Sequence, residues 1–136
     1  MGWRFRDRLS VIVHTPKNPS NLEWQGLLRD RALHGRDSNE RTLIVSYGGG
    51  PDADQRKLLS REMDGRAAPT VIMTKSAMVR AIASALLFFN RQMKVVGIDE
   101  RELAYQFLGF SPDESRIADR LRAELELELG IAKLCA

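Results

Sequence analysis

The chain has 136 residues, of which 43% are apolar and 29% charged, and its net charge is +3. That length suits one domain with a real core, and the apolar runs fall far short of the roughly 18 residues of a membrane span. The modest positive charge permits an acidic partner without demanding one, and no basic run, basic–aromatic stripe, zinc-finger or ribonucleoprotein signature makes nucleic acid an expected partner.

The opening segment MGWRFRDRLS carries charges but no apolar stretch, so it does not read as a signal peptide. Arg6 stands where a myristoylation motif needs Ser or Thr. The single cysteine, Cys135, allows neither a disulfide framework nor a cysteine zinc site within the chain, and a reducing, cytoplasmic setting is the expectation.

In chain order, WRFR alternates large apolar residues with Arg and reads as an early strand or as the start of the next one. LSVIVHT, from Leu9 to Thr15, is nearly continuous in apolar content and predicts a buried strand. PSNLEWQGLLRDRALHG predicts a helix. Ser20 and Glu23 form its capping box, Leu22, Trp24, Leu27, Leu28 and Leu33 supply its apolar face, and Gly35 is its stop.

RTLIVSY predicts a second strand, ended by Gly48, Gly49 and Gly50. In the helix that follows, PDADQRKLLSREMDG, either Pro51 sits in the first turn or Asp52 caps it with Gln55. Leu58, Leu59 and Met63 are expected to face inward, and Gly65 to end the helix. APTVIMT predicts a third strand, SAMVRAIASALLFFNR a third helix and MKVVGI a fourth strand.

Asp99 with Glu102 is expected to cap ERELAYQFLG. Ser111, Pro112, Asp113 and Glu114 start the last helix, about 111–130. Its stripe is Ile117, Leu121, Leu125 and Leu129, with a tail at 131–136. Without repeats or a low-complexity linker, the reading is one domain over 1–136. Alternating strands and helices imply an α/β fold: a mostly parallel four- or five-stranded sheet with helices packed against it and right-handed crossovers. In such sheets ligands and partners meet the loops at the carboxyl ends of the strands.

The loop SYGGGPDADQ precedes a helix start, where free amides and the helix dipole can bind an anion. It lacks the Lys-Ser of a P-loop. It matches only the G-x-G-x-x-A variant of the dinucleotide fingerprint, without the acid expected farther on. Asp52 and Asp54 repel a phosphate and can satisfy the helix start themselves. A turn or protein-contact loop is the plainer reading.

His14 and His34 are the only histidines, too few for a metal site with the carboxylates at hand. No metal and no cofactor are expected. Ser46 is not in a nucleophile elbow. His14 would lie across the sheet edge from it, but a strand-end serine is the bland alternative, and no catalytic residue is assigned.

Between Ala77 and Phe89 only Arg80 and Ser84 are polar. A helix that apolar is either deeply covered or offers a surface to a partner or a second copy. Ala77, Ala81, Ala83, Ser84 and Ala85 would let another backbone come close, with Lys75 and Arg80 at the fringe.

An apolar strand ending in a glycine loop, a helix, then PTVIMTKSAMVRAIASALLFFN and MKVVGIDERELAYQFLG: this order resembles the STAS fold of anti-sigma-factor antagonists and anion-transporter tails, in its bacterial SpoIIAA-like branch. The likeness covers roughly Leu9 to Phe110. It implies a non-enzymatic regulatory domain that signals through protein partners; some members of that family bind nucleotides or lipophilic ligands. Antagonists of the family carry a phosphorylated serine in the loop that corresponds to SYGGGPDAD. Here Asp52 or Asp54 stands nearby instead, with less charge and fewer acceptor atoms than a phosphate.

The resulting expectation is a regulatory domain contacting an unidentified protein through Gly48, Gly49, Gly50, Asp52, Asp54, Lys75, Ser76 and Arg80, with the 76–90 helix available to a homodimer. The alternative is a small-ligand or nucleotide-binding α/β domain, with or without hydrolase activity, using the same glycine loop.

Overall fold

The computed structural model describes residues 1–34, 40–63, 68–86 and 92–131, the side chain of Leu86 excepted. The expected stops at Gly35 and Gly65, the end of the apolar helix at 87–90 and the tail with Cys135 lie outside the described residues. WRFR belongs to a strand of its own. β1 (Gly2–Arg6) pairs antiparallel with β2 (Leu9–His14), from Gly2↔Val13 to Arg6↔Leu9. The hairpin turns at Asp7, whose φ of 53° lies in the left-handed region that Asp tolerates better than most residues.

β3 (Arg41–Ser46), β4 (Thr70–Thr74) and β5 (Met93–Val96) then add in parallel, one beside the next. The result is one five-stranded sheet in the order β1-β2-β3-β4-β5. The crossovers are α1 (Asn21–His34), α2 (Ala53–Met63) and α3 (Ala77–Leu86). Right-handed crossovers between successive neighbours put all three on one face of the sheet. α4 (Arg101–Leu108) and α5 (Pro112–Glu128) follow the last strand and cover the other face.

The period of two along each strand divides the sheet. Towards α4 and α5 point Leu9, Val11, Val13, Leu43, Val45, Val71, Met73 and Val96. They pack on Ala104, Tyr105, Leu108, Ala118, Leu121, Leu125 and Ile131. This is the main core, and fully burying each large apolar side chain contributes roughly 1.5–3 kcal/mol. Asp119 ties the two helices together: it accepts from Arg101 Nε at 2.8 Å and from the Tyr105 hydroxyl at 2.7 Å. The Arg101 bonds hold its carboxyl below the usual carboxylate range.

Helix starts follow local side-chain chemistry. Ser20 Oγ accepts from Glu23 N at 3.1 Å while Glu23 accepts from Ser20 N at 3.0 Å. Asp52, not Pro51, begins α2: its carboxylate accepts from Gln55 N at 2.8 Å and Gln55 Oε1 accepts from Asp52 N at 3.0 Å. Ser111 and Glu114 form the same reciprocal box, with Pro112 in the first turn.

Three expectations fail. Asp99 does not cap α4; the boundary residue is Glu100, whose carboxylate instead takes Gly97 N at 2.7 Å. Leu22 and Leu33 are each 79% exposed, because on a 3.6-residue period both fall opposite Trp24. Leu58 points outward as well, and the buried residue of α2 is Gln55.

Candidate functional site

The second face of the sheet has a different composition. Its residues lie in three rows set by the register: Ser10, Thr42 and Thr70; Ile12, Ile44 and Ile72; His14, Ser46 and Thr74. A row of isoleucines therefore runs between two polar rows. Above them α1 contributes Trp24 and Leu27, and with Ile12 these form a small second core that Ile44 and Leu59 join.

Among the described residues, the helices do not close over this face. α2 leans chiefly on α1. Among the described residues of α3 only Ala83 is buried, while Met78 is 73% and Ile82 40% exposed. Of the two alternatives for this apolar helix, deep cover or an offered surface, deep cover is not found over residues 77–85. Between the helices and the sheet lies a cavity of about 650 Å³. Its walls are Ile12, Ile44, Ile72, Trp24, Leu27, Leu59, Met78, Val79, Ile82 and Met93, and the glycine loop forms one rim. This volume falls within the range of small-molecule pockets, which are mostly apolar with a few polar groups.

The glycine loop is built to pack. Gly48 has φ of +128°, and a Cβ on Gly49 would stand 2.1 Å from the Lys17 carbonyl oxygen and 2.5 Å from that of Thr15. Only glycine lets the two loops approach so closely. Its amides are already engaged: Gly48 N donates to Ser46 Oγ at 3.2 Å, Gly49 N to Thr15 O at 2.9 Å and Gly50 N to Asn18 Oδ1 at 3.2 Å. With Asp52 N and Gln55 N bonded to each other's side chains, these amides do not form the open cradle a phosphate needs.

Of the predicted site residues, Gly48, Gly49, Gly50 and Asp52 come together on the cavity rim. Asp54, Lys75 and Arg80 do not line it. Ser76 serves as a cap, its Oγ accepting from Val79 N at 3.2 Å.

His14 and Ser46 are direct register partners across β2 and β3. Yet the Ser46 hydroxyl donates to the Gly49 carbonyl at 2.6 Å, so its proton is directed into the loop. Burial lowers His14 to a pKa of about 4, which makes it a neutral and weak base near pH 7. Among the described residues, no cluster of three or more His, Cys, Asp or Glu could hold a metal ion. Nor is any described helix long and apolar enough to cross a membrane.

The sequence reading missed Thr42, Thr70 and the three isoleucines. The signal was present as a repeated pattern, polar-x-Ile-x-polar, in SVIVH, TLIVS and TVIMT. Comparison with protein-family models, with curated proteins and with solved structures returns no match.

Proposed function

We propose that this chain is a non-enzymatic α/β domain that binds a small apolar molecule between its sheet and α1–α3. The observation that carries the reading is the cavity of about 650 Å³ over the isoleucine row. The cavity is partly open, so its largely apolar walls face solvent, and an apolar ligand would remove that surface from water. The test is titration with Nile red, an uncharged apolar fluorophore. Saturable binding is expected for the native chain, with weakening in Ile44→Trp, whose indole intrudes over the isoleucine row at the cavity floor. Near-ultraviolet circular dichroism establishes that the variant is folded. Absence of saturable binding, or equal binding by the folded variant, overturns the reading.

A second reading is a STAS-type regulatory domain of bacterial signalling that contacts a protein. What favours it is the charge of Asp54, Lys75 and Arg80 outside the cavity, with Lys75 and Arg80 flanking the exposed Met78 in the chain. Under this reading the same surface of α3 serves a protein partner or a second copy. Light scattering across a concentration series, on the native chain and on Met78→Glu, tests the homodimer: a monomer at every concentration removes that form of it.

A further inference from the structure

Each polar row under the cavity has one member left without a partner. In the first row, Ser10 donates to Glu40 and Thr70 donates to the Ala68 carbonyl at 2.9 Å. Thr42 Oγ1, buried to 3% exposure, bonds to nothing. In the third row, Ser46 is bonded to Gly49, and Thr74 Oγ1 accepts from Ser76 N at 3.0 Å. His14 Nδ1, equally buried, bonds to nothing. Both side chains line the cavity, while the two orphan atoms themselves are closed to solvent; a turn of either side chain about its χ angles presents the atom to a bound molecule.

Buried polar atoms normally have partners, and an orphan is costly. Two of them at one cavity mark where a bound molecule supplies the missing groups. Their spacing follows from the register: His14 is opposite Ser46, and Ser46 lies four residues beyond Thr42 on the same strand. At about 3.3 Å per residue the two rows are about 13 Å apart, with the isoleucine row between them.

The charged groups of the lining are already engaged. Arg31 pairs with Glu40 at 3.5 Å, Arg56 donates to the Pro51 carbonyl at 2.8 Å, and Asp52 caps α2. A charged ligand group at either orphan carries a high burial cost, which an anion could offset only through Arg56, whose partner here is a neutral carbonyl.

Building on the ligand-binding reading above, we infer that the bound molecule is elongated and uncharged, with an apolar middle and a hydroxyl or carbonyl at each end. One end bonds to His14 Nδ1 and the other to Thr42 Oγ1, about 13 Å apart along the strands. The neutral imidazole offers a donor or an acceptor at Nδ1 according to its tautomer, and the threonine hydroxyl offers both. The ligand class is thus a two-ended lipid-like alcohol or ketone, as distinct from a fatty acid or a nucleotide.

The test is displacement of Nile red by α,ω-decanediol, decanol and decanoate. The diol is expected to bind the tightest. Thr42→Val, which keeps the shape and removes the hydroxyl, should weaken the diol about tenfold, and His14→Phe should do likewise. Decanol, with one polar end, should respond to only one of the two variants. Decanoate outcompeting the diol, a diol no tighter than decanol, or a diol affinity unmoved by Thr42→Val overturns the inference. In those cases saturable Nile red binding still upholds the ligand-binding reading, whereas absence of Nile red binding defeats that reading first.

Discussion

Trp24 Nε1 donates to the main-chain oxygen of Gln55 at 2.8 Å, and this bond pins α2 to α1 at the level of the glycine loop. Gln55 then extends the lock with its side chain. Its Nε2 donates to the Pro19 carbonyl and to Asn21 Oδ1, each at 3.0 Å, while its Oε1 takes Asp52 N. α2 is held by a polar residue at its start, and its remaining turns stand off the sheet. The cavity is the space that this mode of attachment leaves.

Gln55→Ala removes three side-chain hydrogen bonds at a buried position. At about 0.5–1.5 kcal/mol for each bond, a loss of about 1.5–4.5 kcal/mol is expected in urea unfolding. Nile red affinity should fall with it, because the cavity wall loses its anchor. A change within about 0.5 kcal/mol, the usual scatter of surface substitutions, would show that α2 is held by something else.

The three glycines should respond unequally. At Gly49 a methyl group would meet backbone oxygens of Thr15 and Lys17 that cannot swing away, and Gly49→Ala is expected to cost more than about 3 kcal/mol, in the range of severe steric changes. A methyl group on Gly50 would meet no atom within 4 Å, and the φ of that residue is not positive. Gly50→Ala should therefore be neutral or stabilising by up to about 1 kcal/mol through the unfolded chain. Thermal unfolding of the two variants side by side decides the matter; equal losses would mean that loop packing is not what glycine supplies here.

Acid should weaken the fold through His14. Burial lowers its pKa from 6.5 to about 4, so the unfolded chain takes up a proton before the folded one does. The stability from keeping this imidazole neutral is complete above pH 6.5 and drains away as pH falls towards about 4. At 1.36 kcal/mol per pKa unit the full effect is about 3 kcal/mol. Glu23 and Asp119 also carry lowered pKa values, but their contributions are lost only as pH drops below the ordinary carboxylate range. Urea unfolding between about pH 7.5 and pH 5 isolates the histidine, and His14→Phe should flatten the slope there. A slope that survives this substitution would refute the assignment.

Local features of this fold were legible in the sequence. The capping boxes at Ser20, Asp52 and Ser111 need only residues three apart, and all three form. The α/β alternation was equally clear, since each strand and helix carries its own apolar period. At Asp99 the cap failed because Glu100, one residue on, reaches the Gly97 amide. At Leu22 and Leu33 hydrophobic identity was weighed above angular position, which already placed both away from Trp24. The cavity face was hidden for a related reason: SVIVH, TLIVS and TVIMT look like unbroken apolar runs until alternate residues are separated. Which polar atoms would end without partners depends on Ala68, Gly49, Glu40 and Ser76, and no single strand contains that information.

The two faces of the sheet also differ in when they can be covered. Each crossover helix is made immediately after the strand it follows, so the cavity face acquires its roof as the chain lengthens. The opposite face, with Leu9, Val11, Leu43, Val45 and Val71, waits for α4 and α5 at the far end of the sequence. During synthesis the most oily surface of the protein is therefore the last to be shielded. Until residues 101–131 have left the ribosome, that face of the sheet lacks its cover, the condition under which partly made domains are prone to aggregate.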